Sequence, residues 1–278
     1  SLIAHSGGAS LTTTGAFTST GKLSAVEALT VTSGGSVSLS GQVLSGTEIG
    51  IVSTGSGAAG LVTVSGAASL IEAKDKIALT GADISLAGHL NAYAGSLSLT
   101  AGDAINSTAT VTAKTTLDAI LPGRFDNSGT LSAGSDLTIA GASSGAFAHL
   151  ENKNMGRILA QVITLRGGSL TNAGEIGSST TAGLTFSGDV TNSGLLNAQT
   201  GLTLSATNLK NLSTNSQVAS LTDALSLTLS GGLENEGTLY AQKDLTVTLA
   251  AALTNKGTIV AKEGTARLTS GQDITQDS

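Results

Sequence analysis

The chain has 278 residues, of which 12% are charged, with a net charge of −6 and no cysteine. Its sparse, mildly acidic charge excludes the clustered Lys and Arg that nucleic acid or an anionic membrane surface requires. The absence of cysteine excludes disulfides, and no run of about 18 apolar residues is present to insert in a membrane as a helix.

Hydrophobic residues make up 40% of the chain and aromatics 2%, so a core must be built from Leu, Ile, Val and Ala. In chain order, short apolar-polar-apolar triplets appear first. Leu29-Thr30-Val31, Ile49-Gly50-Ile51, Ile77-Ala78-Leu79 and Leu97-Ser98-Leu99 lead the series. Leu137-Thr138-Ile139, Ile163-Thr164-Leu165, Leu184-Thr185-Phe186, Leu202-Thr203-Leu204, Leu225-Ser226-Leu227 and Leu245-Thr246-Val247 continue it. Such alternation places the outer two side chains on one face of a strand and the middle one on the other. Helix is a poor reading, because Thr, Ser and 37 glycines fill the spaces between the apolar positions. The best helical stretch is 58–61 with 67–74.

From Asn127 onward a second beat joins the first. Asn127, Asn152, Asn172, Asn192, Asn211, Asn235 and Asn255 follow one another at steps of 25, 20, 20, 19, 24 and 20. Five of them open Asn-x-Gly, ending at Gly129, Gly174, Gly194, Gly237 and Gly257. A fixed period of about 20 residues marks a solenoid in which each repeat buries its apolar face only against its neighbours. The predicted fold is all-β: a right-handed parallel β-helix of roughly 13 coils, with two or three short strands per coil. The asparagines are expected to stack at one corner in left-handed backbone conformations, with the glycines supplying a second unusual dihedral. Residues 1–278 read as one β-helix, with a looser repeat type over 1–125 and the Asn-x-Gly type over 126–271. The long steps place insertions near 140–150 and 213–224. The chain starts at Ser1 without a leader and reads as a segment of a longer protein.

The pattern Leu-x-Asn-x-Gly-x-Leu/Ile-x-Ala resembles the filamentous haemagglutinin repeats of two-partner-secretion exoproteins. Leu233-Glu234-Asn235-Glu236-Gly237-Thr238-Leu239-Tyr240-Ala241 and Leu253-Thr254-Asn255-Lys256-Gly257-Thr258-Ile259-Val260-Ala261 carry it most fully, and Leu170 to Ile176 carries part of it. That group includes large adhesins and the stalks of contact-dependent growth-inhibition proteins. The resemblance implies a secreted or cell-surface bacterial filament whose parent is exported through an outer-membrane two-partner-secretion transporter. It also implies a possible receptor on host or neighbouring cells. The segment then reads as shaft rather than enzyme.

Chemistry-bearing residues are few. Asp83 and Asp103 are one period apart, and Asp75 lies near them, so a carboxylate pair or cation site could form on successive coils. The solvated-turn reading is the stronger one, which leaves a polysaccharide-degrading β-helix enzyme as a minor alternative. His89 and His149, three periods apart, would stand too far apart to share a metal. Lys153, Arg157 and Arg166 are read as a small positive patch or a solubilising face. Tyr93 and Tyr240 are the aromatic candidates for a ligand. Gly34-Gly35, Gly167-Gly168 and Gly231-Gly232 lack the Gly-Lys-Ser/Thr ending of a phosphate loop, so no cofactor is expected. Asn106-Ser107-Thr108 and Asn211-Leu212-Ser213 match the glycosylation sequon.

Overall fold

Runs of Leu, Ile, Val and Thr at alternate positions favour strands, and the Gly, Ser and Asn between them break each strand after three to six residues. A coil of about 20 residues is therefore folded into three such strands. The computed structural model describes residues 1–141 and 147–277. Among the described residues there are 36 strands, and every pairing between them is parallel. Each short strand pairs with the one three places later: Leu29–Ser33 with Glu48–Ser53, and that strand with Lys76–Gly81.

Three sheets form the walls of this parallel β-helix. The first runs from Leu2–Ala4 to Thr258–Ala261, the second from Ala9–Thr13 to Ala266–Ser270, and the third from Phe17–Ser19 to Ile274–Gln276. Each sheet has thirteen rungs, because Arg157–Asn172 bends through all three sheets and Glu175–Phe186 through two. At ~4.8 Å per rung the rod is about 60 Å long.

Inward side chains stack in register to form the core. In the second sheet Ile49, Ile77, Leu97, Leu117, Leu137 and Ile163 lie directly above one another, all buried. One expected triplet shifts by two residues. Ala182-Gly183-Leu184, not Leu184-Thr185-Phe186, aligns with Ile163-Thr164-Leu165. The cause is an irregularity just upstream, where Ala160 pairs with Ser178 but Val162 with Thr181. The shift frees Phe186 for another role. Phe147, Gly167 and Phe186 occupy one position on three successive rungs, and the two rings meet edge to face at 6.1 Å. A Cβ on Gly167 would lie 2.2 Å from the Phe147 ring, so only glycine fits between them. The helical expectation reduces to a single 3-10 turn at Gly57–Gly60, while 70–73 is strand.

Chain length is absorbed at the corners. Between Ala140 and His149 there are five more residues than between their rung-mates Ile120 and Arg124. Of the insertion expected at 140–150, residues 142–146 lie outside the described residues, and Phe147–Asn152 is a wall strand. Of the stretch expected at 213–224, Gln217–Ser220 forms a strand of the first sheet with Val218 buried. The chain is lengthened before it: Asn211 reaches Gln217 in six steps, where Asn192 reaches Leu195 in three. A further long turn, Lys153–Gly156, is hidden in the sequence. The coil that follows it, from Arg157 to Glu175, takes only 18 steps and restores the 20-residue spacing of the asparagines.

Candidate functional site

The corner between the third and first sheets holds the densest set of specific polar contacts. Asn127, Asn152, Asn172, Asn192, Asn211, Asn235 and Asn255 each end a third-sheet strand segment, in register, and all seven are buried. Every amide faces the same way. The Nδ2 of each donates to the Oδ1 of the next at 2.6–2.8 Å, and Asn255 donates to Oε1 of Gln276. A further Nδ2 proton reaches a backbone carbonyl. The acceptor is Gly194 O for Asn192 at 3.1 Å and Leu195 O for Asn172 at 3.0 Å. The amides thus serve as a continuous hydrogen-bonded chain inside a wall that excludes water.

Two expectations about this corner are corrected. Among the described residues the only positive φ angles are at Ser213, Gly7, Gly57, Gly66 and Gly88, so neither the asparagines nor their glycines adopt left-handed backbone. The glycines are needed because successive turns lie backbone against backbone. A Cβ on Gly194 would sit 2.1 Å from Gly174 O, and one on Gly257 would sit 2.0 Å from Gly237 O.

The two long turns alter the outer surface of this corner. Lys153–Gly156 and the 212–216 turn project on either side of the short turns at Ala173-Gly174 and Ser193-Gly194. The result is a groove of about 510 Å³. Met155 stands at one wall, 81% exposed, with Asn215 at the other. Arg157 Nε meets Glu175 Oε2 at 2.8 Å along its side. None of the residues singled out in the sequence as ligand candidates marks this groove except Arg157. The groove's signal was the five-step spacing from Asn152 to Gly156-Arg157.

A second polar cluster lies on the outer face of the third sheet. Arg124 pairs with Asp126 and with Glu151 one rung on, and Lys153 Nζ approaches Asp126 at 3.8 Å. His149 Nδ1 lies 2.7 Å from Ser169 Oγ. Burial, with the nearby Arg124 charge second, holds the His149 imidazole below its usual range, against the opposing pull of Glu151 and Asp126.

The other sequence candidates are dispersed. Asp83 and Asp103 line one shallow depression at the corner between the second and third sheets, where Asp83 Oδ1 accepts from the Ala104 amide. Asp75 is separated from them by the strand Lys76–Gly81 and sits at another corner. His89 lies in the first sheet and His149 in the third, so they face different sides of the rod. Arg157 opens a first-sheet segment and Arg166 closes a second-sheet one, so Lys153, Arg157 and Arg166 do not form one patch. Tyr93 is exposed at a corner, and the Tyr240 hydroxyl donates to Gln242. Asn211 is fully buried within the ladder, which closes that sequon in the folded rod. No group of three metal-ligating side chains gathers among the described residues, and no described helix is long and apolar enough to cross a membrane.

The family model described as "Haemagglutinin repeat" matches residues 221–277. No curated protein and no solved structure matches the chain. The matched coils carry Asn235 and Asn255, two rungs of the same ladder that begins at Asn127. Residues 221–277 and the solenoid they extend fit a filamentous haemagglutinin-like repeat region.

Proposed function

We propose that this chain is a rigid shaft segment of a secreted or surface-anchored bacterial exoprotein, holding a binding or toxic module away from the cell. The parent is exported through an outer-membrane two-partner-secretion transporter. The observation that carries this reading is the parallel stacking of three sheets through thirteen rungs, from Leu2–Ala4 to Ile274–Gln276, with side chains among the described residues spent on stacking rather than on a convergent reactive site. The asparagine ladder is structural in this reading: it fixes register and stiffness at one corner. The haemagglutinin-repeat match supports an adhesin-like filament rather than a catalyst.

The test is replacement in the parent exoprotein. A length-matched unrelated β-helix in place of residues 1–278 should preserve the activity of the distal module, and a half-length rod should reduce it. Loss of activity with the length-matched rod would overturn the spacer role.

A second reading makes the rod itself adhesive toward host or neighbouring cells. It is favoured by the five residues that the chain adds between Ala140 and His149, and by the charged and polar cluster of Arg124, Asp126, His149 and Glu151 on the outer face of the third sheet. Labelled protein should then bind cells saturably above a β-helix control. Deletion of 142–146 should remove that binding without unfolding the rod. Binding unchanged by the deletion would dismiss this assignment.

A further inference from the structure

The groove between the two long turns has the dimensions and chemistry of a self-complementary joint. We propose that it is the docking surface for a second copy of this chain, laid antiparallel alongside the first. The inference goes beyond the shaft reading and does not rest on it.

Three observations lead there. First, the groove and its knob are adjacent on one surface. Met155 projects from the turn Lys153–Gly156 and is the most exposed large hydrophobic residue among those described. The floor beside it is built from the small residues Ala173, Gly174, Ser193 and Gly194. A protruding thioether next to a depression of about 510 Å³ is what a two-fold, isologous contact requires, because each copy offers both halves. Methionine adapts its shape to such a site at small cost.

Second, the charges match under the same operation. The two long turns stand three rungs apart, about 14 Å. A two-fold axis crossing the rods between the Arg157 and Glu175 rungs carries Met155 of each copy over the floor of the other. The same axis places Arg157 of each copy opposite Glu175 of the second. The pair seen within one chain becomes a ring of four alternating charges. A parallel arrangement in register would set Arg157 against Arg157.

Third, the lining disfavours a sugar ligand. None of the lining residues is aromatic, so nothing offers a face for a sugar ring. Leu195, 39% exposed at the groove, adds apolar area that a second rod would cover. Contact limited to a few rungs places the pair in the small, reversible class of interface.

The experiment is sedimentation equilibrium of the 278-residue chain over a wide concentration range, with three variants. The wild type should associate reversibly to a dimer. Met155→Asp should weaken that association tenfold or more while leaving the melting profile of the rod unchanged. Arg157→Glu alone and Glu175→Arg alone should each remain monomeric, because each sets like charges across the axis. A mixture of those two variants should associate again as a heterodimer, since one chain then carries only acids at these positions and the other only bases. Loss of a purely internal ion pair has no means of producing that recovery. A wild type that stays monomeric throughout would overturn the proposal. So would association that survives Met155→Asp, which would place the contact at the rod ends, or a mixture that fails to associate. As a separate arm, glycan or peptide arrays probed with the monomer address small ligands; a hit blocked by Met155→Asp, without any dimer, would replace the second copy with that ligand class.

Discussion

The two halves of the rod solve the same corner in different ways. At the inward position that ends each third-sheet strand, the first half carries Leu39, Val64 and Leu86. The second half carries seven asparagines in the same register. Ser107 stands between the two regimes, buried, with a hydroxyl that finds no partner. The coil tolerates an aliphatic ladder or an amide ladder, because each is satisfied by its own kind one rung away. The costly place is the boundary. An amide beside a leucine leaves a buried donor or acceptor without a partner, which costs about 1–3 kcal/mol.

Substitutions that import one regime into the other test this directly. The largest effect is expected for Asn192→Leu. It strips Asn172 Nδ2 of its acceptor and Asn211 Oδ1 of its donor, and should cost on the order of 3 kcal/mol. Solenoids need not unfold in one step, so hydrogen exchange in the rungs around 172 and 211 is the appropriate measurement. Unchanged protection there would refute the idea that the ladder stabilises the corner. The reverse exchange, Leu86→Asn, places an amide between Val64 and Ser107. It should cost about 2 kcal/mol, less than the first because the free Ser107 hydroxyl offers one partner. A loss equal to or above that of Asn192→Leu would remove Ser107 as that partner.

Gly194→Ala asks whether the turns or the amides define the second regime. Its Cβ would press on Gly174 O, and overpacking of this kind costs about 1–3 kcal/mol. At the equivalent place in the first half Ala109 already carries a Cβ, so Ala109→Gly should change stability little in comparison. Equal losses at 109 and 194 would contradict the close-approach account. Ser107→Asn should have the smallest stability effect and the opposite sign. It extends the ladder by one rung toward Asn127 and should raise stability by up to about 1 kcal/mol. A destabilised variant would show that the ladder has to end where it does.

The pH response probes the transition region as well. His149 is held below its usual range, so the folded rod resists a proton that the unfolded chain accepts. This costs nothing above the unfolded value of about 6.5, and stability falls as pH drops through it. His149→Gln should flatten the decline in melting temperature between about pH 7 and pH 5. A decline of the same slope would assign the acid sensitivity to other groups.

Much of this was legible in the chain because a solenoid writes its fold as a period. The triplet Leu97-Ser98-Leu99 sits in the core as its alternation predicts, and the asparagine spacing marks the rungs of the second half. What the sequence hid has local causes. Asn152 departs visibly from the Asn-x-Gly pattern, but the spacing of the asparagines conceals the long turn Lys153–Gly156, because a two-residue gain in the turn is cancelled by a two-residue loss in the next coil. Leu184-Thr185-Phe186 keeps its alternation, with Leu184 and Phe186 buried, but an irregular pairing at residues 178–181 sets it two residues out of line with Ile163-Thr164-Leu165. The role of Gly194 was misassigned because a glycine required by close backbone approach looks, in sequence, like one required by an unusual dihedral. The groove needed three dimensions: its walls are 60 residues apart in the chain, at Met155 and Asn215.

The small rise of each coil has a mechanical corollary. One turn of about 20 residues advances the rod by ~4.8 Å, yet the same residues drawn out straight span roughly 65 Å. A filament built this way stores more than tenfold its own length as slack. Under a pull between two surfaces, coils would be surrendered one at a time, each lengthening the tether before its neighbour bears the load. Such a shaft is a strut when compressed or bent and a shock absorber when stretched.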